Sequence, residues 1–318
     1  MYFPIMYARQ SELSALEDVR HKLETGQRVS PILIPMSDPG SQGEAELIRK
    51  SEMLHRSGIP FGLVVNPHAG KAKGKQKHLI DKIVNGALEH RANFLPVFQM
   101  HSGTTVREVG TFLRQIGDRK FAFYHFRRPT AWAAIAERYE GNPNLDLNLF
   151  FTELPLSYRQ AFGGRQVLVE DPFIRQERNA DYPPEDFFSD ALWTHEARGY
   201  AGFGDYQIVG HRVSEGGAAA LAAAIHLTYV VAPEDMRVRH FISDDNETTY
   251  DPGGKYLQAL TKLDRWVRES GVDFSYSTAV RDFHSHLVGQ RFPGFGGVKQ
   301  ISIRHHLETM DHYLRPAD

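Results

Sequence analysis

Short apolar runs alternate with amphipathic stretches along the first half of the chain. The runs are rich in β-branched and aromatic residues and are bounded by Gly, Pro or polar residues, which is typical of strands. The stretches between them have apolar residues at helical spacing, which predicts helices. The predicted strands are Met1–Met6 (an edge strand or a docked terminus), Pro31–Met36, Phe61–Asn66, Phe94–Gln99, Phe121–Phe126, Leu147–Thr152 and Gln166–Glu170. The predicted helices are Ser11–Leu23, Glu44–Ser57, Gln76 to about His90, Val106–Ile116, Thr130–Tyr139 and Leu156–Phe162.

This β-α alternation implies right-handed parallel crossovers and a sheet covered by helices. Continued to eight strands, it would close into a (β/α)8 barrel. Two features depart from the simple pattern: the fifth crossover is short, and residues 172–203 form a long Pro-, acid- and aromatic-rich insertion without clear periodicity. We therefore predict an α/β fold, a modified TIM-like barrel with C-terminal helices. The alternative is an open doubly wound parallel sheet.

The second half of the chain contains two further apolar, β-rich runs, Ile225–Val231 and Val238–Ile242, separated by a link of hairpin length. Before them, Ser214-Glu215 is predicted to be a turn or the N-cap of a short helix over Ala218–Ala224. Three helices follow, over Lys255–Ser270, over Thr278–Leu287 and from the Phe292–Gly297 turn through His312. The prediction is a single domain over 1–318, with the insertion at about 172–203 and a helical extension at about 255–318.

Composition narrows the class of protein. The 318 residues are 41% hydrophobic and carry a formal net charge of −2, an ordinary globular profile that gives no indication of nucleic-acid binding. The chain contains no Cys, which excludes disulfides, thiolate metal sites and a Cys nucleophile and favours a cytoplasmic location. We expect neither a signal peptide nor a membrane span, because the chain does not start with a charged and then apolar segment and no apolar run is long enough.

Polar residues cluster where the predicted barrel strands end. In parallel barrels the residues at the carboxyl ends of the strands build the site, although every barrel has some polar residues there. This mixture of carboxylates and guanidinium groups would suit an anionic small molecule such as a phosphate ester. The residues are Asp38, Asn66, His68, Gln99, His101, His125, Arg127, Arg128, Glu153, Glu170, Asp171, Asp205 and His226.

The stretch from Gly202 to Asp245 has the highest density of candidate site residues. The predicted catalytic residues are Asp205, His226, His240 and Asp244. The predicted ligand-binding residues are Glu170, Asp171, Arg127, Arg128, Tyr206 and Tyr229. A metal bound by His and carboxylate groups is conceivable, with Glu170, Asp171, Asp205, His226, His240 and Asp244 as its candidates, but hydrogen-bonded histidines are the simpler interpretation. The metal and any cofactor are left unknown.

One loop resembles the start of a lipid-kinase or NAD-kinase domain. Val64–Gly74 has the sequence VVNPHAGKAKG, an apolar strand followed by Asn-Pro-x-x-Gly and a basic loop. Those families also need a Gly-Gly-Asp-Gly loop, and the residues after the next strand, His101–Thr105, do not provide one. We therefore expect a solvated loop after a barrel strand, with lysines that could still attract a phosphate.

Several blocks also resemble an uncharacterised bacterial family labelled by a Sorangium locus tag, which is distantly similar to the "beta protein" family of phages and mobile elements. The blocks are Met1–Pro4, Arg9–Leu16, Phe203–Tyr206, Ile225–Tyr229, His240–Asp244 and Ile303–His306. The resemblance implies a barrel-like protein encoded near mobile or anti-phage genes, often beside a nuclease-like partner. It implies that Asp205, His226, His240 and Asp244 are important, without giving them roles.

Two functions follow as hypotheses. The first is a cytoplasmic barrel protein of a phage-defence or mobile-element system that senses a ligand or regulates a partner protein. The alternative is a hydrolase of a phosphate ester or related anion. In the hydrolase, Asp205, Glu170 or Asp171 would act as the base or a metal ligand, His226 and His240 as acid, base or ligand, and Arg127 and Arg128 would hold the anion.

Overall fold

The computed structural model describes residues 1–152, 154–213, 221–231 and 234–315. The chain forms two compact units. The first consists of Met1–Arg9, Leu23–Glu170 and Thr194–Asp205, and the second of Gln10–Lys22, Asp171–Trp193 and Tyr206–Asp318. The single-domain organisation inferred from the sequence stays a prediction.

Strands and helices follow the predicted order through the first 170 residues. The strands in the described residues are β1 (Ile5–Tyr7), β2 (Ile32–Ile34), β3 (Phe61–Val64), β4 (Phe94–Met100), β5 (Phe121–His125), β6 (Leu145–Phe151), β7 (Arg165–Glu170), β8 (Glu185–Ser189), β9 (Gly202–Asp205), β10 (Ala224–Val231) and β11 (Asp235–Ile242). The helices there are α1 (Gln10–Gly26), α2 (Gln42–Arg56), α3 (Gln76–Leu79), α4 (Val106–Ile116), α5 (Trp132–Tyr139), α6 (Leu156–Gln160), α7 (Ala191–Thr194), α8 (Pro252–Glu269), α9 (Thr278–Val288) and α10 (Gly294–Tyr313).

The first unit is a nearly closed barrel of eight parallel strands in the order β1-β2-β3-β4-β5-β6-β7-β9. The segment before β1 closes it onto β9: Phe3 N–H donates to Phe203 O at 2.8 Å, and Phe203 N–H donates to Met1 O at 3.1 Å. Tyr2 also bridges both Val29 and Phe203 in parallel register. The predicted TIM-like α/β barrel is confirmed, and the open doubly wound sheet is not formed.

The helices between the barrel strands follow the predicted amphipathic stretches. Thr105 begins α4 with a capping box, in which its side chain accepts from Glu108 N–H and the Glu108 carboxylate accepts from Thr105 N–H. The predicted helix from Gln76 is α-helical only to Leu79 and continues as a π-helix over Ile80–Ala87. Its wider turns still bury Ile80, Ile83 and Val84 on one side.

The second unit contains a three-stranded antiparallel sheet in the order β10-β11-β8 and the helices α8, α9 and α10. Apolar residues of β10, such as Ile225 and Leu227, pack with Leu260 of α8 and Phe283 of α9 in one core. Asp251 caps α8 by accepting from Gly254 N–H at 2.8 Å, and Pro252 fits the first turn because that turn needs no donor there. Amphipathic helices thus cover one face of the sheet.

The structure adds to and corrects the predictions for the second half of the chain. The eighth barrel strand is β9, a range that the sequence did not predict as a strand. The runs Ile225–Val231 and Val238–Ile242 form a hairpin, as their spacing indicated, and this hairpin belongs to an antiparallel sheet completed by β8. The expected helix over Ala218–Ala224 is not formed in its described part, because 221–223 are not helical and Ala224 begins β10. Ser214 and Glu215 lie outside the described residues, as does Glu153.

Among the helices of the described residues, none is long and apolar enough to cross a membrane.

The closure of the barrel at β9 requires a residue without a side chain at position 204, and this requirement can be tested. A Cβ atom at Gly204 would clash with the carbonyl oxygen of Phe3, a residue whose N–H makes one of the closing hydrogen bonds. We expect Gly204→Ala to lower the free energy of unfolding by about 2 kcal/mol or more, measured by urea denaturation. Gly141→Ala is the control, because a Cβ there meets no atom within 4 Å, and it should change stability by less than about 0.5 kcal/mol. Equal stability of the two variants would contradict this account of the closure.

Candidate functional site

The direction in which the side chains of each strand point decides which polar residues lie in the barrel interior. On β4, Phe98 packs on Phe112 of α4 with ring centroids 5.1 Å apart, and the Met100 Sδ atom lies 3.8 Å from the Tyr158 hydroxyl oxygen of α6. These side chains therefore face the helices. Successive side chains of a strand point to opposite faces, so Val97 and Gln99 face the barrel interior.

Two predicted pairs of strand-end residues do converge at the carboxyl ends of β3 and β4. Asn66 continues the strand ladder with its side chain, donating to Gln99 O at 2.9 Å and accepting from Gln99 N–H at 2.7 Å. The rings of His68 and His101 lie edge to face with centroids 3.8 Å apart. Gln99 is 4% exposed, and its Oε1 has no hydrogen-bond partner among the described residues.

Both of these histidines are neutral at pH 7. Burial, and then the charge of His101, lower the pKa of His68 to about 4. Burial also lowers the pKa of His101. This end of the barrel interior therefore offers imidazole and amide groups rather than charge. In the loop after β3, Lys71 is exposed and pairs with Asp38 at 3.2 Å.

His125 and the two arginines after β5 have different surroundings, and the role of Arg127 and Arg128 as anion ligands stays a prediction. The His125 ring faces the helices, stacked on Phe150 with centroids 4.2 Å apart and hydrogen-bonded to Tyr158 of α6. The Arg127 guanidinium lies over the Phe126 ring, 4.4 Å from its centroid. Arg128 is exposed and forms no ion pair with the described residues.

Glu170 and Asp205 are register partners at the ends of β7 and β9. The row of register partners from His125 through Phe150 and Leu168 to Phe203 faces away from the barrel interior, because the His125 ring contacts α6. Glu170 and Asp205 come two residues after Leu168 and Phe203 on the same strands, so their side chains also point away from the barrel interior.

Both carboxylates also have partners. Glu170 pairs with Arg198 at 2.8 Å. Asp205, 3% exposed, accepts a hydrogen bond from the buried Tyr2 hydroxyl at 2.6 Å. The predicted base thus helps to hold the segment that closes the barrel.

The hydrogen bond between Tyr2 and Asp205 can be tested by deleting one oxygen. We expect Tyr2→Phe to lower the free energy of unfolding by about 1–3 kcal/mol, because a buried carboxylate loses a hydrogen bond. The measurement is urea denaturation at pH 7. Tyr250→Phe is the control, since that side chain is 80% exposed and should be neutral. A Tyr2→Phe protein as stable as the parent would show that Asp205 does not depend on this bond.

The His125 cluster fixes the proton positions on the ring. Asn148 Nδ2 donates to Gly163 O at 2.8 Å, so Asn148 Oδ1 is left to accept from His125 Nε2–H at 2.8 Å. His125 Nδ1 is then unprotonated and accepts from the Tyr158 hydroxyl at 2.6 Å. This arrangement needs a neutral imidazole, and burial lowers the pKa of His125 from 6.5 to about 3.

That lowered pKa predicts acid sensitivity. The unfolded chain takes up a proton at His125 below about pH 6.5, whereas the folded protein does so only near pH 3. The contribution to stability is complete above pH 6.5 and falls by about 1.4 kcal/mol per pH unit as the pH drops towards 3. His125→Gln should remove that part of the slope in urea unfolding measured from pH 7 to pH 4.5. His90→Gln, at a side chain that is 86% exposed, should keep the parental slope.

In the second unit the structure brings two of the predicted catalytic residues together. His226 of β10 and His240 of β11 are register partners, and their Nδ1 atoms lie 2.7 Å apart. His240 Nε2 lies 3.2 Å from Asp186 Oδ2, and a carboxylate can only accept, so His240 donates through Nε2. Its Nδ1 is then unprotonated and accepts from His226 Nδ1–H. The sequence predicted His226 at the barrel rim, whereas it belongs to the antiparallel sheet.

The surroundings keep this histidine pair neutral. Tyr182 lies against both rings, with centroid distances of 4.6 Å to His226 and 4.7 Å to His240, and Phe173 lies 5.0 Å from His226. Burial, and then the charge of His240, lower the pKa of His226 to about 3. Burial lowers the pKa of His240 as well, against the opposing effect of Asp186. At pH 7 the pair is therefore an acceptor and not an acid.

The other predicted site residues of this unit have separate partners. Asp244 is exposed and pairs with Lys262 at 2.7 Å. Tyr229 donates to Glu185. Burial, and then this hydrogen bond, raise the pKa of Tyr229 to about 12. Asp171 is hydrogen-bonded to His211, and Tyr206 is buried.

The cavity beside His240 was not predicted from the sequence. It has a volume of about 470 Å3 and lies between β11, α8 and the segment before β8. Its walls are Ala180, Tyr182, Pro184, Arg239, His240, Phe241, Ile242, Lys262, Arg265, Trp266 and Glu269. The signal was present in α8, because Lys262, Arg265 and Glu269 have the i, i+3, i+7 spacing that places polar groups on one face.

The three cationic side chains of this cavity differ in their ion-pair partners. Arg239 pairs with Glu185 at 3.1 Å and lies 5.1 Å from the Trp266 ring centroid. Lys262 pairs with Asp244. Arg265 is exposed and forms no ion pair with the described residues.

A metal was left open by the sequence. In the described part of the chain, His, Asp and Glu do not gather in any group of three or more that could hold a metal ion. His284 is bonded to Asp264 and His286 to Tyr256. His305 and His306 are fully buried, and each is bonded to Thr228.

Comparison with known proteins gives this chain no relative: no family model matches it, and no curated protein does. The family resemblance described above stays a prediction.

Proposed function

We propose that this protein is a ligand-binding regulator whose second unit takes up a small anionic molecule in the cavity beside His240. The single observation behind the proposal is Arg265, whose guanidinium forms no ion pair with the described residues and lines a cavity together with Arg239 and Lys262. Cavities that bind small molecules usually measure about 300–1,000 Å3, and this one has about 470 Å3. A guanidinium suits a carboxylate or phosphate because it presents two parallel donors.

The aromatic walls favour a ligand that is more than a bare anion. Tyr182 and Trp266 line the same cavity, and flat rings offer a large contact area at little entropic cost. The neutral His240 adds a polar group without adding charge. An anion attached to a flat or apolar group would use both kinds of wall.

The contacts of the predicted catalytic residues support binding over hydrolysis. Asp205 is held by Tyr2, and Asp244 by Lys262. His226 and His240 are bonded to each other. A general base needs a free acceptor within reach of the attacking water, and these contacts engage each of the four residues that the sequence predicted as catalytic. Hydrolysis of a phosphate ester remains the alternative.

The wider setting is proposed on other grounds. A phage-defence or mobile-element system, with a nuclease-like protein partner encoded nearby, comes from the family resemblance alone. The cytoplasmic location comes from the absence of Cys in the sequence. In that setting, occupancy of the cavity would be the signal passed to the partner.

The proposed anion site can be tested by calorimetry. Adenosine monophosphate serves as a probe with an anion and an aromatic group, and inorganic phosphate as a probe with the anion alone. We expect Arg265→Ala to weaken binding of adenosine monophosphate about tenfold, because a charge-assisted hydrogen bond is lost. Arg268→Ala is the matched control on α8, since Arg268 does not line the cavity and pairs with Asp264 at 2.8 Å.

Two results would count against the proposal. One is the absence of binding for both probes at low ionic strength. The other is an equal affinity of the Arg265→Ala and Arg268→Ala proteins. Added salt should weaken binding to the parent protein, because an exposed guanidinium is screened.

A further inference from the structure

A second cavity of the same unit combines a carboxylate oxygen and two cationic side chains. Among the described residues, the oxygen has no hydrogen-bond partner and the cations form no ion pair. It has a volume of about 260 Å3 and lies between the segment after β7 and the turn before Val213. Its walls are Asp171, Phe173, Ile174, Arg175, Gly210, His211 and Arg212. No residue that lines the His240 cavity also lines this second cavity.

Asp171 provides the unpaired acceptor. One carboxylate oxygen, Oδ2, is hydrogen-bonded to His211 Nδ1. The other, Oδ1, is buried and has no hydrogen-bond partner among the described residues. A buried oxygen without a donor is costly, so a ligand that brings a donor is favoured there.

Gly210 keeps space beside that oxygen. Its φ of +76° suits glycine, and a Cβ atom at this position would lie 3.5 Å from Asp171 Oδ1. Glycine at this position therefore places no side chain against Asp171 Oδ1.

Arg175 and Arg212 provide the cations. Both are exposed, and neither forms an ion pair with the described residues. Arg175 Nη1 donates to the backbone oxygen of Arg212 at 3.4 Å, which keeps the two residues close together. Two guanidinium groups at one opening are suited to a carboxylate.

We propose that this cavity binds a small aliphatic α-amino acid. Its ammonium group would donate to Asp171 Oδ1, and its carboxylate would lie between Arg175 and Arg212. The opposite charges of a zwitterion match the opposite charges of the cavity, which neither an anion nor a cation alone would do. The walls supplied by Phe173 and Ile174 are apolar, and Ile174 is 58% exposed, so they favour an aliphatic side chain.

The test compares three probes by calorimetry on the full chain. L-Leucine carries both charges, 4-methylpentanoate lacks the amino group, and 3-methylbutan-1-amine lacks the carboxylate. We expect L-leucine to bind at least tenfold more tightly than either truncated probe, since each loses one charge-assisted hydrogen bond. Equal binding of L-leucine and 4-methylpentanoate would overturn the proposal and leave only an anion site. No binding of L-leucine would overturn it completely.

Variants then assign the two ends of the ligand. Asp171→Asn should weaken L-leucine about tenfold and leave 4-methylpentanoate unchanged, and Arg212→Met should weaken both. Arg212 is exposed, so its variant tests the site even if Asp171→Asn fails to fold. Arg178→Met is the control, because Arg178 pairs with Asp181 and does not line the cavity. An Arg212→Met protein that binds L-leucine like the control would overturn the proposal. Arg265→Ala should leave L-leucine binding intact, so the outcome is separate from that of the His240 cavity.

Discussion

The barrel depends on the close approach of one backbone segment to another where the last strand meets the first. Phe203 exchanges backbone hydrogen bonds with Met1 and Phe3, and without them the eight strands would form an open sheet with two exposed edges. This close contact between the two backbone segments explains why β9 contains glycines. Gly202 and Gly204 lie so close to the first strand that a Cβ at Gly202 would stand 2.8 Å from Met1 O. The buried bond from Tyr2 to Asp205 then ties a side chain of each segment together.

The same backbone contact explains why the barrel could be predicted from the sequence although its last strand could not. Seven strands are apolar runs between amphipathic helices, and strands and helices can be predicted from that periodic pattern of apolar residues. β9 has the sequence Gly-Phe-Gly-Asp, in which glycine is required by the contact and not by a turn. The run Ile225–Val231 has the better pattern for a strand and is one, but its partners are β11 and β8. Strand pairing is a long-range property, and the polar start of β8, Glu185-Asp186, gives no local sign of it.

The candidate site was predictable in its parts and not in its assembly. The hairpin spacing placed two histidines on strands that could pair, and the register makes His226 and His240 direct neighbours. Their third member, Asp186, comes from a strand that the sequence did not reveal. The strand-end rule correctly brought Asn66 and Gln99 together. It failed to say that Asp205 faces away from the interior, because facing depends on the register across several strands. Arg127 was predicted as an anion ligand from its charge and its place after a strand, and its guanidinium lies over the Phe126 ring.

Burial gives four histidines of this protein a common chemical character. It lowers the pKa of His68 and His305 to about 4 and that of His125 and His226 to about 3. An imidazole that stays neutral at pH 7 can accept or donate a hydrogen bond, but it contributes no charge to an anion. These four imidazoles therefore do not attract an anion, whereas guanidinium groups keep their charge near neutral pH. Recognition by Arg265, Arg175 and Arg212 would consequently vary with ionic strength.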